Sequence, residues 1–123
     1  MKKYEFTGET KVIAGVTLKR IRALVSFGDV VKGEVGGFIK DEKNLSHNGN
    51  AWVAGNALVT DNALVTDNAK VTGDALVTGN ALVTDNAKVT GDALVTGTAR
   101  VTDNADCMLI GRIGSRSDFT TFF

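Results

Sequence analysis

Few places in this sequence can do chemistry. The segment IGRIGSRSDFTT, from Ile110 to Thr121, is where glycine, hydroxyl and guanidinium groups crowd together. Gly111 and Gly114 let backbone amides turn toward an anion, Ser115 offers a hydroxyl, and Arg112 and Arg116 offer forked donors suited to phosphate. Arg112, Gly114, Ser115 and Arg116 therefore form the candidate ligand-binding set, for a small anion or a nucleotide. The plainer alternative is a hairpin turn in which Arg116 pairs with Asp118. A second set is acidic: Asp67, Asp85 and Asp103 recur every eighteen residues, as do Asp74 and Asp92. Stacked at strand spacing, such carboxylates repel by about 1 kcal/mol in water and invite a cation. The calcium-binding nonapeptide signature is missing, and asparagine neighbours with water can satisfy the same corners, so no metal is expected. Cys107 stands alone, without a second thiolate for zinc or for a disulfide, and no Ser-His-Asp or Cys-His set is suggested. No catalytic residue is assigned and no cofactor is expected. Fourteen Lys plus Arg balance fourteen Asp plus Glu, so no net field draws a nucleic-acid polymer or an anionic membrane.

What must position these groups is a repeat. Alanine recurs at every sixth position from Ala51 to Ala105, and valine at every sixth from Val53 to Val101. Between them sits a variable residue, and threonine follows every one of these valines except Val53, which Ala54 follows. Side chains in a strand alternate faces, so alanine and valine point inward while the variable residue and threonine point outward. The two remaining letters, Gly-Asn, Asp-Asn, Gly-Asp or Gly-Thr, favour turns. Each hexad reads as a short strand and a corner. Asp67 to Thr84 spells DNAKVTGDALVTGNALVT, and Asp85 to Thr102 repeats it with only Asn80 and Leu82 replaced, by Thr98 and Arg100. Three hexads thus close one triangular coil, and coils stack at about 4.8 Å, the spacing of paired strands.

The hexads NALVTD and DALVTG resemble the hexapeptide repeats of left-handed parallel β-helices, over about Gly49 to Asp106. The left hand is what the resemblance implies, because ordinary parallel crossovers are right-handed and periodicity fixes no hand. The stretches YEFTGETKVIAGVTLKRIRAL, GEVGGFIKDEKNLSHNGNAWV and IGRIGSRSDFTTFF together resemble a family of uncharacterised bacterial and phage hexapeptide-repeat proteins. In that family a β-rich N-terminal cap precedes the solenoid and a Gly-Ser-Arg segment follows it. Many hexapeptide-repeat proteins are acyltransferases, with a histidine general base at a subunit interface and a loop that embraces the acyl donor. His47 is the only histidine here, it precedes the regular coils, and no insertion interrupts Ala51 to Ala105. A cap histidine with a local hydrogen bond is the expectation. Ice-binding solenoids also display threonine ranks, but here the second outward rank is Leu, Lys or Arg.

The expected architecture is all-β: a left-handed parallel β-helix with three hexapeptides per coil, in a single domain over residues 1–123. Residues 1–48 would be an N-terminal β cap and first irregular coil, 49–106 the solenoid, and 107–123 short C-terminal capping strands. KVIAGVTLKRIRALVSF predicts a hairpin with its turn at Ala14-Gly15, and Asp29 to Ile39 predicts further short strands. Sorted by face, the outward ranks are Leu58, Leu76 and Leu94; then Leu64, Leu82 and Arg100; then Trp52, Lys70 and Lys88. Aligned leucines make a contiguous patch better covered by a copy of the same chain, as a dimer or trimer, so Leu58, Leu76, Leu94, Leu64 and Leu82 are the candidate interface. Lys70 and Lys88 form a solvated face or touch phosphate. The N-terminus MKKYEFTGET lacks the apolar run of a signal peptide and no eighteen apolar residues are continuous, so a cytoplasmic protein is expected. The favoured function is a non-enzymatic scaffold or interaction module that self-assembles. A small-ligand binder that sequesters a nucleotide in a phage-host setting ranks second, with the Gly-Ser-Arg segment at a subunit junction. An acyltransferase ranks third.

Overall fold

A computed structural model describes residues 2–103, 106–107, 111–113 and 118–119. The chain opens with a hairpin, β1 (Tyr4–Ile13) and β2 (Val16–Ala23), followed by β3 (Val35–Ile39) and one short 3₁₀ turn at Glu42–Asn44. Strands of two or three residues then recur to β15 (Asp118–Phe119), and they stack as three faces. The first face continues from β3 through β5 (Leu58–Val59), β8 (Leu76–Val77) and β11 (Ala93–Val95) to β14 (Gly111–Ile113). The second holds β6 (Leu64–Val65), β9 (Leu82–Val83), β12 (Arg100–Val101) and β15. The third holds β4 (Trp52–Val53), β7 (Lys70–Val71), β10 (Lys88–Val89) and β13 (Asp106–Cys107).

Register proves the coil. Val59 lies opposite Val77, Val65 opposite Val83 and Val71 opposite Val89, each pair parallel and eighteen residues apart. The Leu58 amide donates to the Ala75 carbonyl at 2.9 Å and the Thr60 amide to Val77 at 3.0 Å, so a short strand gives its donors to the next coil. The molecule is a parallel β-solenoid of about four turns with eighteen-residue coils, as an all-β left-handed parallel β-helix requires.

Valine and alanine fill the interior as the alternation dictates. The core valines from Val53 to Val101 are fully buried, and the alanines two positions before each of them, from Ala51 to Ala99, are 2% exposed or less. Each valine contributes roughly 1.5 kcal/mol or more relative to an exposed one. Ile39 and Leu45 begin two of the valine columns, opposite Val59 and Val65. At the C-terminal end Cys107 lies opposite Val89, where an inward valine would stand, and Phe119 lies opposite Val101. Corners need a left-handed backbone. Gly79 has φ +70 and a Cβ there would come within 2.8 Å of the Gly97 amide nitrogen, so the close stack of corners excludes a side chain. Asp61, Asp67, Asp85 and Asp103 adopt φ between 56 and 59 instead, a region that aspartate tolerates better than most residues.

The first coil is covered by the hairpin. Its turn falls at Ala14 and Gly15, both with positive φ, and its first strand begins at Tyr4, before the Lys11 at which the predicted hairpin starts. β2 pairs antiparallel with β3, which pairs parallel with β5, so one sheet passes from cap to solenoid without an edge between them. Tyr4 and Ile21 reach into the core, and Lys3 anchors the start by donating from Nζ to the carbonyls of Ala51 (2.6 Å) and Gly49 (3.3 Å). Among the described residues no helix is long and apolar enough to cross a membrane.

Candidate functional site

The leucine columns form as the hexads predict. Leu58, Leu76 and Leu94 lie in register along the first face, and Leu64, Leu82 and Arg100 along the second, all of the leucines half-buried. The hairpin alters the first column. Its tip bends over the outer side of the coils and leaves a cleft of about 340 Å³ between Ile13, Ala14, Val16 and Leu18 on the arm and Leu58 and Leu76 on the face. Leu18 and Phe38 are buried on this outer side, where Phe38 stands one rung above Leu58.

The basic face is less free than its sequence suggests. Trp52 is buried beneath Phe27, edge to face at 5.4 Å, and beside Tyr4 at 6.5 Å. Lys70 donates to Asp29 Oδ2 at 2.5 Å, and that hydrogen bond, with the lysine's charge, holds the Asp29 carboxyl below the usual carboxylate range. Lys88 remains exposed.

At the corners, the structure puts the outward threonines to a use that their β-propensity does not announce. The Thr84 hydroxyl donates to Asp67 Oδ2 at 2.6 Å and the Thr78 hydroxyl to Asp61 Oδ2 at 2.6 Å. The Asp103 amide donates to Asp85 Oδ2 at 3.1 Å. Each of these acids thus accepts from the coil that follows it. The Thr78 hydroxyl, aided by the Gly79 amide, holds the Asp61 carboxyl below its ordinary range. Side-chain amides continue the ladders, Asn62 to Asn80 at 3.2 Å and Asn68 to Asn86 at 3.3 Å. A readable signal existed: threonine seventeen residues after a corner aspartate. It fails at Thr60, whose hydroxyl is buried without a partner, because position 43 holds lysine. Among the described residues no three His, Cys, Asp or Glu side chains converge on a metal-sized site.

His47 is held on three sides. Its ring stacks on Tyr4 at 4.1 Å, Nδ1 accepts from the Lys3 amide at 3.1 Å, and Nε2 meets Glu42 Oε1 at 2.8 Å. The bond to His47 and another to Lys2 hold the Glu42 carboxyl below its usual range. Of the candidate anion set, Gly114, Ser115 and Arg116 lie outside the described residues, and the backbone of Arg112 lies opposite Leu94 on β14. Asp118 stands opposite Arg100 in a parallel pair. Compared with known proteins, the chain matches no family model and no curated sequence.

Proposed function

We propose that the chain is a non-enzymatic scaffold or interaction module that self-assembles through its leucine faces. The observation that supports this is the register that turns five leucines, Leu58, Leu76, Leu94, Leu64 and Leu82, into two adjoining apolar columns. Water around such a patch is released when a second copy covers it, and a closed pair uses the same patch on both partners. Replacing Leu76 with Lys is expected to lower the oligomer mass in light scattering while the β circular dichroism survives. An unchanged mass would clear that face, and a monomeric wild type would end the assembly reading.

The locked ring supports a structural part for His47. Both its nitrogens are engaged within the cap, so a base free to accept a substrate proton would need that cap opened. Neither binding of acyl-coenzyme A by calorimetry nor release of free thiol from it is expected. Turnover that disappears in His47→Ala would overturn the non-enzymatic reading.

A further inference from the structure

Asn48-Gly49 is the only Asn-Gly pair in the chain, and it stands at the seam between the cap and the first regular coil. Glycine is required there. Gly49 has φ +71, and a Cβ on it would come within 2.5 Å of the Asp67 carbonyl oxygen. Both residues are exposed. The Asn48 side-chain amide and the Gly49 main-chain amide make no hydrogen bond among the described residues, and Asn48 engages only its own main-chain N–H, which donates to Ser46 Oγ at 3.0 Å. The corner asparagines of the coils are arranged differently. Asn56, Asn62, Asn68, Asn80 and Asn86 each precede an alanine whose amide donates back to a carbonyl three residues earlier, at 3.2 to 3.4 Å. Asn44 is buried with its side-chain nitrogen on the Asp61 and Ala63 carbonyls, and Asn50 precedes the fully buried Ala51. Asparagine is thermolabile because the next residue's nitrogen can attack its amide carbon, and the attack is easiest where that nitrogen is unbonded, open to water and unshielded by a Cβ.

We propose that Asn48 is a site of spontaneous deamidation, with water as the co-reactant. The Gly49 nitrogen loses its proton and bonds to Asn48 Cγ; the Cγ–Nδ2 bond breaks, and ammonia leaves with that proton, which closes a succinimide ring. Water then opens the ring at either carbonyl carbon. Opening at Cγ gives aspartate. Opening at the main-chain carbon gives isoaspartate, in which the chain runs through Cβ and Cγ and is one atom longer. That atom falls between fixed points. On one side His47 Nδ1 accepts from the Lys3 amide at 3.1 Å; on the other the Asn50 amide donates to the Asp67 carbonyl at 2.9 Å, and Lys3 Nζ holds the Gly49 and Ala51 carbonyls. Isoaspartate therefore pushes cap and coils out of mutual register, whereas aspartate adds only a charge. The proposal does not rest on the leucine faces or on assembly.

The test is heavy-oxygen labelling of the folded protein from enriched water at mildly alkaline pH, read by peptide mass spectrometry. Label is expected at position 48 at least tenfold faster than at any other asparagine, at a rate that climbs with pH as the attacking amide ionises, and it should vanish in Asn48→Gln. A protein isoaspartyl methyltransferase should methylate the aged chain and leave Asn48→Gln unmodified. Label spread evenly over the asparagines would overturn the proposal, and so would a position 48 that converts in urea but stays unlabelled in the folded chain. The methylatable fraction is expected to melt below fresh protein, while Asn48→Asp melts close to fresh protein. The fluorescence of Trp52, the chain's single tryptophan, which packs against Tyr4, follows both melts. An Asn48→Asp variant that melts as low as the aged fraction would put the loss on charge and overturn the change of register.

Discussion

The Thr78 hydroxyl and the Asp61 carboxylate show how a corner with strained backbone is held. Aspartate accepts the left-handed φ of 56, and the next coil supplies a hydroxyl at 2.6 Å to its oxygen. Removing such a hydroxyl, as in Thr84→Val opposite Asp67, is expected to cost about 0.5–1.5 kcal/mol in urea denaturation, since the freed carboxylate can still meet water. Acid acts on the same bonds. Asp61, Asp29 and Glu42 are all held below their ordinary values, so the unfolded chain takes up protons first and stability falls as the pH drops through about 4 and lower. Thermal melts at pH 3 should show a loss relative to pH 6 that shrinks in Asp61→Asn. The alkaline side depends on the N-terminal anchor. Burial pulls the Lys3 ammonium down to about 8, so the unfolded chain holds that proton longer and stability rises as pH climbs from about 8. Burial, and after it the charge of Glu42, raises the Tyr4 hydroxyl, which reverses the trend above about pH 10, where the unfolded phenol ionises first. Lys3→Met should abolish the rise and keep the later fall, as melts between pH 7 and 11 would show.

At the scale of strands, the period did most of the work. One inward and one outward residue per hexad yields the faces directly, and the pairs Leu58 with Leu76 and Trp52 with Lys70 follow from counting eighteen. Val77 sits between Val59 and Val95 in its column, so Val77→Ala is expected to cost about 2–3 kcal/mol and Val77→Asp to unfold the stack, by denaturant titration. The cap was legible only where a local rule applied. The Ala14-Gly15 turn has such a rule; the burial of Trp52 under Phe27 does not, since twenty-four residues of aperiodic chain separate them. Gly36 is a case in point. A Cβ there would lie 2.5 Å from the Val53 carbonyl and 2.8 Å from the side chains of Ile21 and Trp52. Gly36→Ala should therefore destabilise by about 1–3 kcal/mol, although the sequence marks this glycine no differently from its neighbour Gly37. For the same reason the leucine columns could be read from spacing, while the arm that bends across one of them could not.

Across the whole molecule, the hairpin sheet and the three faces divide labour: one end is sealed, and the sides carry apolar, mixed and basic surfaces. Every ladder beyond β3 joins residues eighteen apart, so the chain behaves like a thread wound on a three-sided spool. Length added in units of the full winding keeps phase. A second copy of Asp67 to Thr84 inserted after Thr84 is expected to lengthen the protein by about 4.8 Å, one strand spacing, with every surface column still aligned. Six residues alone would preserve each strand and each corner but advance everything downstream by a third of a turn. Leu94 would then leave its place beneath Leu76, and lysine or arginine would enter the leucine rank, without one core contact changing in kind. Such a variant should melt near wild type yet fail to assemble. Its surface, unlike its core, has a phase, and that phase is what a duplication within this sequence must conserve.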